Sequence, residues 1–168
     1  VVGPEKRKIK EKEMSTTTNG EVCFGVLLND EAEEFELPWM AADVDCDEEE
    51  WWLKVNGYKP PFELFTEDGD YIGGVEPPRA KVREYYAHKT AWMKLNPLPF
   101  ELVNYRSGDC PMYILAVPGT VQTANRGYPK ELTLDTRIRP LRQIVLREFC
   151  KKYNLPTEFK WWLTSYWG

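Results

Sequence analysis

A chain of 168 residues with 42% hydrophobic content can bury a sizeable core, so its fold requires no metal or disulfide staple. It carries 27 acids against 22 lysines and arginines, a net charge of −5, and no apolar run reaches the length of a membrane span. Lys6-Arg7-Lys8 has no apolar stretch behind it, so the start does not read as a secretory signal.

The chain opens on Val1 and reads as a piece of a longer polypeptide. Residues 1–18 read as a flexible lead: charges of both signs are followed by Ser15-Thr16-Thr17-Thr18, and nothing there can bury enough apolar area to offset chain ordering. Residues 19–168 read as a single α+β domain. Val22-Cys23-Phe24-Gly25-Val26-Leu27-Leu28 is a short apolar run, which suits a buried strand. Trp51-Trp52-Leu53-Lys54-Val55 before Asn56-Gly57 has the form of a strand entering a turn, so residues 51–75 read as an antiparallel meander. Pro77-Pro78 opens a helix that runs to about Leu95. Val82, Tyr85, Tyr86, Trp92 and Met93 share one face of it at core spacing, with Lys89 among them.

Phe100–Tyr105 and Met112–Val117 read as a hairpin around Ser107-Gly108-Asp109. A second helix spans about Pro140 to Tyr153, with Leu141, Ile144, Val145, Phe149 and Tyr153 as its inward side. Thr157 then reads as the cap of a short terminal helix holding Trp161, Trp162 and Trp167. This order predicts a mostly antiparallel sheet with two main helices and a short C-terminal helix packed on one face.

The charge is divided along the chain. Residues 21–50 hold twelve acids and no lysine or arginine, while residues 126–160 hold nine basic residues and four acids. Such a division either binds the two parts together or marks separate partner surfaces. The four cysteines, Cys23, Cys46, Cys110 and Cys150, are scattered without a CxxC pair beside one histidine. That pattern suits reduced thiols of an intracellular protein, in cytoplasm or nucleus, and not a zinc site.

No Gly-rich phosphate loop or G-x-S-x-G elbow is present, so no cofactor is expected. Asp43, Asp45 and Asp47 alternate like the start of a calcium loop, but Glu48 stands where that loop needs glycine. A cysteine protease would pair Cys23 with His88, and Tyr166-Trp167-Gly168 resembles the end left by self-releasing viral leader proteases. A nucleic-acid-binding domain would use the basic helices 79–94 and 137–152, through Arg79, Arg83, Lys89, Arg139, Arg147 and Lys151. Leu134-Asp135 with Ile138, Leu141, Ile144, Val145 and Phe149 resembles the final helix of BEN-type DNA-binding domains, over residues 134–149 alone. The leading reading is a non-catalytic interaction domain with a protein partner. Trp161, Trp162, Tyr166 and Trp167 at the tail and the acidic segment 30–50 are its contact surfaces, and self-association through the tail is a further option.

Overall fold

A computed structural model describes residues 18–28, 37–41, 46–66, 69–107, 111–125, 127–135 and 140–167. The side chains of 18, 106, 107, 111, 166 and 167 fall outside the description, as does all but the last residue of the proposed lead segment. The described elements are β1 (Thr18–Leu27), α1 (Glu48–Val55), α2 (Arg79–Leu95), β2 (Glu101–Ser107), β3 (Pro111–Ala116), β4 (Gln122–Ala124), α3 (Pro140–Lys152) and β5 (Lys160–Trp167). The class is α+β, with a curled, mostly antiparallel sheet. Among the described residues no helix is long and apolar enough to cross a membrane.

The strand order is β3-β2-β5-β1-β4, with a further β3–β1 pairing that brings the sheet round on itself. β1 pairs antiparallel with β5 along Thr18–Gly25. Its opposite edge takes β4 at Gly20–Val22 and β3 at Gly25–Leu27. β2 pairs antiparallel with β3 along its length up to Arg106, and parallel with β5 at Arg106 and Ser107.

Alternation along these strands sorts the core into two clusters. Cys23, Val103, Ile114 and Ala116 form one, with Trp162 packed against it and no helix residue taking part. Val26, Leu28, Leu115 and Val117 turn the other way, where Trp51 of α1 and Leu146, Phe149 and Cys150 of α3 join them. The curl depends on one residue. A Cβ on Gly25 would collide with the Leu115 carbonyl oxygen and lie 2.7 Å from Ala116 Cα. Only glycine lets β1 and β3 approach so closely.

Two expected elements take another form, and a third packs elsewhere than expected. The segment at 51–55 is helix α1, not a strand of a meander. Asp47 caps it, with Oδ1 accepting from Glu50 N–H at 2.8 Å, and Glu48, Glu49 and Glu50 fill the first turn, where the helix dipole favours anions. Asn56-Gly57 ends that helix and starts no hairpin: Gly57 has φ +71, and Gly57 and Tyr58 donate back to Lys54 and Leu53. Of the meander there remains, among the described residues, an isolated antiparallel bridge between Phe65 and Tyr71.

The terminal segment is not a helix either. Lys160–Trp167 is β5, inside the sheet: Trp161, Trp162 and Thr164 are residue types that favour a pleated surface, and the strand pairs with β1 along Thr18–Gly25. Finally, α2 buries no residue. The face expected in the core lies against the 58–71 segment, with Trp92 at 5.4 Å from Tyr58 and Tyr85 at 6.2 Å from Phe62.

Candidate functional site

Cys23 and His88 have different surroundings. Cys23 is fully buried on β1, among Val103, Ile114 and Ala116. Burial, aided by Glu21 and Glu101, pushes its thiol up to about 12. At neutral pH the group is a thiol and not a nucleophile. His88 is exposed on α2, where its Nδ1 lies 3.2 Å from the Tyr58 hydroxyl. Iodoacetamide is therefore expected to leave Cys23 unlabelled until the chain unfolds, as peptide mass mapping would show. The raised pKa also fixes a sign. Between pH 9 and 12 the unfolded thiol has lost a proton that the folded one keeps. Stability then falls as pH rises, by up to about 1.4 kcal/mol per pH unit from this group. In urea denaturation, Cys23→Ala should flatten that slope.

The cations proposed for nucleic acid have different surroundings. Arg79 and Arg83 are exposed on α2. Lys89 faces α1 and pairs with Glu49 at 2.7 Å, its side chain only 25% exposed. Burial works against its charge, but Glu49 and Asp47 outweigh that and hold its pKa above the ordinary lysine value. On α3, Arg147 lies over the Phe159 ring and Lys151 pairs with Glu148. Arg139, Asp43 and Asp45 lie outside the described residues. Among those described, no three His, Cys, Asp or Glu side chains gather as a metal site.

The tail aromatics are built into the sheet. Trp161 packs on Phe24 at 5.4 Å, and Trp162 donates from Nε1 to the Gly25 carbonyl at 3.0 Å. Tyr166 and Trp167 pair through their backbones with Asn19 and Thr18.

Exposed apolar side chains are spread over the described residues, Leu95, Val75, Tyr128 and Leu163 of β5 among them, and three lie together on α3. Leu141 is 77% exposed, Ile144 52% and Val145 55%, whereas Leu146, Phe149 and Cys150 on the other side are buried. Two hollows border this outer side. One, of about 220 Å³, is walled by Pro97, Leu98, Pro99, Pro118, Leu141 and Val145. The next, of about 250 Å³, is lined by Trp52, Val55, Pro99, Val145, Phe149 and Tyr153, among others. They share Pro99 and Val145 and so form one groove along the helix.

The groove is held open by specific bonds. Arg142 donates from Nη1 to the Pro118 carbonyl at 2.6 Å, and Trp52 donates from Nε1 to the Asn96 carbonyl at 2.9 Å. At the end of α3, Asn154 takes φ 55, and Leu155 donates back to Cys150 at 2.8 Å, so the last turn is firmly capped. Sequence reasoning placed Leu141, Ile144 and Val145 on the same inward side as Phe149 and left out Leu146 and Cys150, which are buried. The missed signal is that apolar residues run nearly all round this helix, which demands contact on more than one side. No protein-family model matches the chain, and it matches no curated protein and no solved structure.

Proposed function

We propose that this chain is a non-catalytic protein-binding domain, and that it takes an apolar segment of a partner protein along the outer side of α3. The observation that carries this reading is the exposure of Leu141, Ile144 and Val145 beside a formed groove. Contiguous apolar surface of this kind marks interaction sites in folded proteins. The walls are proline-rich and tied by the Arg142 bond, so little ordering entropy opposes docking. The buried, protonated state of Cys23 supports the non-catalytic part. Engagement of Lys89 with Glu49 and of Arg147 with the Phe159 ring weighs against the nucleic-acid alternative.

The test is a charge placed in the groove. Leu141→Glu with Val145→Glu should change stability by less than about 1 kcal/mol, because both positions face solvent. Proteins that copurify with the wild-type chain should be lost from this variant, with affinity reduced about 30-fold or more if these side chains are interface anchors. A partner that binds the folded variant with unchanged affinity removes the groove as its site.

A further inference from the structure

The segment that follows β4 offers an occupant for the α3 groove. Residues 127–135 belong to no helix or strand, and every one of them is exposed. Tyr128 is 77% exposed, Leu132 50% and Leu134 45%. The segment is nevertheless tied in place. Gln122 donates from Nε2 to the Thr133 carbonyl at 2.8 Å, and Lys130 donates from Nζ to the Thr123 carbonyl at 3.2 Å. It stands on β4 as an ordered arm with two leucines half in solvent, so little ordering entropy opposes its docking.

The arm and the groove are complementary in pattern. Glu131-Leu132-Thr133-Leu134-Asp135 sets two leucines between two acids. The groove has apolar walls and a cation in each hollow, Arg142 in the first and Lys152 in the second. The helical rise from Arg142 to Lys152 is about 15 Å, and non-helical chain from Glu131 to Asp135 spans up to about 13 Å. Glu148 also lines the second hollow, but Lys151 pairs with it at 2.8 Å. Arg142 is bonded to a carbonyl and Lys152 lies over the Tyr153 ring, so among the described residues neither cation is paired with a carboxylate.

We infer that the arm of one copy docks in the α3 groove of a second copy, with Leu132 and Leu134 against Leu141 and Val145, and with Glu131 and Asp135 toward Arg142 and Lys152. This rests on the groove reading and names the partner as the chain itself. The arm does not fill the groove of its own chain, since none of residues 127–135 lines it. Each copy supplies one arm and one groove, so the contact is made twice and closes as a two-fold dimer.

The test is the mass of the full chain in solution, followed by analytical ultracentrifugation over a range of concentrations. The wild-type chain is expected to pass from monomer to dimer with a Kd of about 10 µM. Leu132→Ser with Leu134→Ser in the arm, or Leu141→Glu with Val145→Glu in the groove, should each give a folded monomer, because all four positions are exposed. Circular dichroism checks that both variants fold. The two variants are then mixed at about 0.5 mM: one keeps its groove and the other its arm, so a mixed dimer should form through a single contact, about tenfold or more weaker than wild type. Glu131→Lys alone should weaken the wild-type dimer about threefold, and less at high salt. A wild-type chain still monomeric at about 100 µM overturns arm docking and leaves the groove to a foreign partner. A dimer that survives the groove substitutions, or variants that never associate when mixed, also overturns it. Failure of the groove reading itself shows separately, as a foreign partner that still binds the Leu141→Glu, Val145→Glu chain.

Discussion

Replacing Gly25 by alanine is expected to destabilise the fold by about 3 kcal/mol or more, at or above the upper end for inserting one methyl into a packed interior. The added Cβ meets the Leu115 carbonyl oxygen and Ala116 Cα, which are backbone atoms paired to β1 in the same register. No side chain can rotate out of the way. The β1–β3 pairing has to open, and with it the contact that turns the sheet round on itself. For a chain of this size the melting temperature should fall by about 6–12 °C. Gly20→Ala is the control within the same strand, since nothing lies within 4 Å of a Cβ at that position. It should be neutral, or stabilising by about 0.5 kcal/mol through the unfolded chain. Equal melting of the two variants would falsify the close approach of β1 and β3.

Phe149→Ala should be the costliest truncation on α3, at about 3–5 kcal/mol. The Phe149 ring is buried between two helices and the entry to β2, with Tyr153 at 4.8 Å, Phe100 at 5.1 Å and Trp51 at 6.2 Å. Its removal leaves a cavity among stiff aromatic rings that collapse poorly. Domains of this kind are stable by only about 5–15 kcal/mol in all, so a large share would be lost. Urea denaturation followed by tryptophan fluorescence gives the value directly, because Trp51 and Trp52 adjoin the site. Ile144→Ala on the outer side of the same helix should shift stability by no more than about 0.5 kcal/mol. A similar loss from both substitutions would show that α3 does not sit with one side in and one side out.

Much of the fold is legible in the residues where local signals agree. The helices expected from Pro77 to Leu95 and from Pro140 to Tyr153 are α2 and α3, and the two strands expected to form a hairpin pair antiparallel as β2 and β3. The errors arise where one signal has two uses. Asn56-Gly57 serves a helix end as well as a hairpin, and the deciding clue was upstream, in Asp47 followed by three glutamates. Thr157 resembles a helix cap, but the residues after it are those that favour a pleated surface. β4 has three residues and no periodicity to detect. The candidate site was harder still. The apolar residues of α3 announce burial, but which side meets the sheet depends on β1 and β3, far away in sequence.

The pairing of Thr18 with Trp167 has a consequence for how this chain acquires its structure. β1 and β5 are neighbours, so folding must bring together points as far apart in sequence as Thr18 and Trp167. Folds dominated by such distant partners form slowly, since loop-closure entropy is lost before the contacts form. On the ribosome, Glu21–Phe24 emerges before Trp161–Thr164 and waits with one hydrogen-bonding edge unfilled until they follow. That interval exposes an apolar strand edge to neighbouring nascent chains, and it is the stage at which a chaperone would matter most.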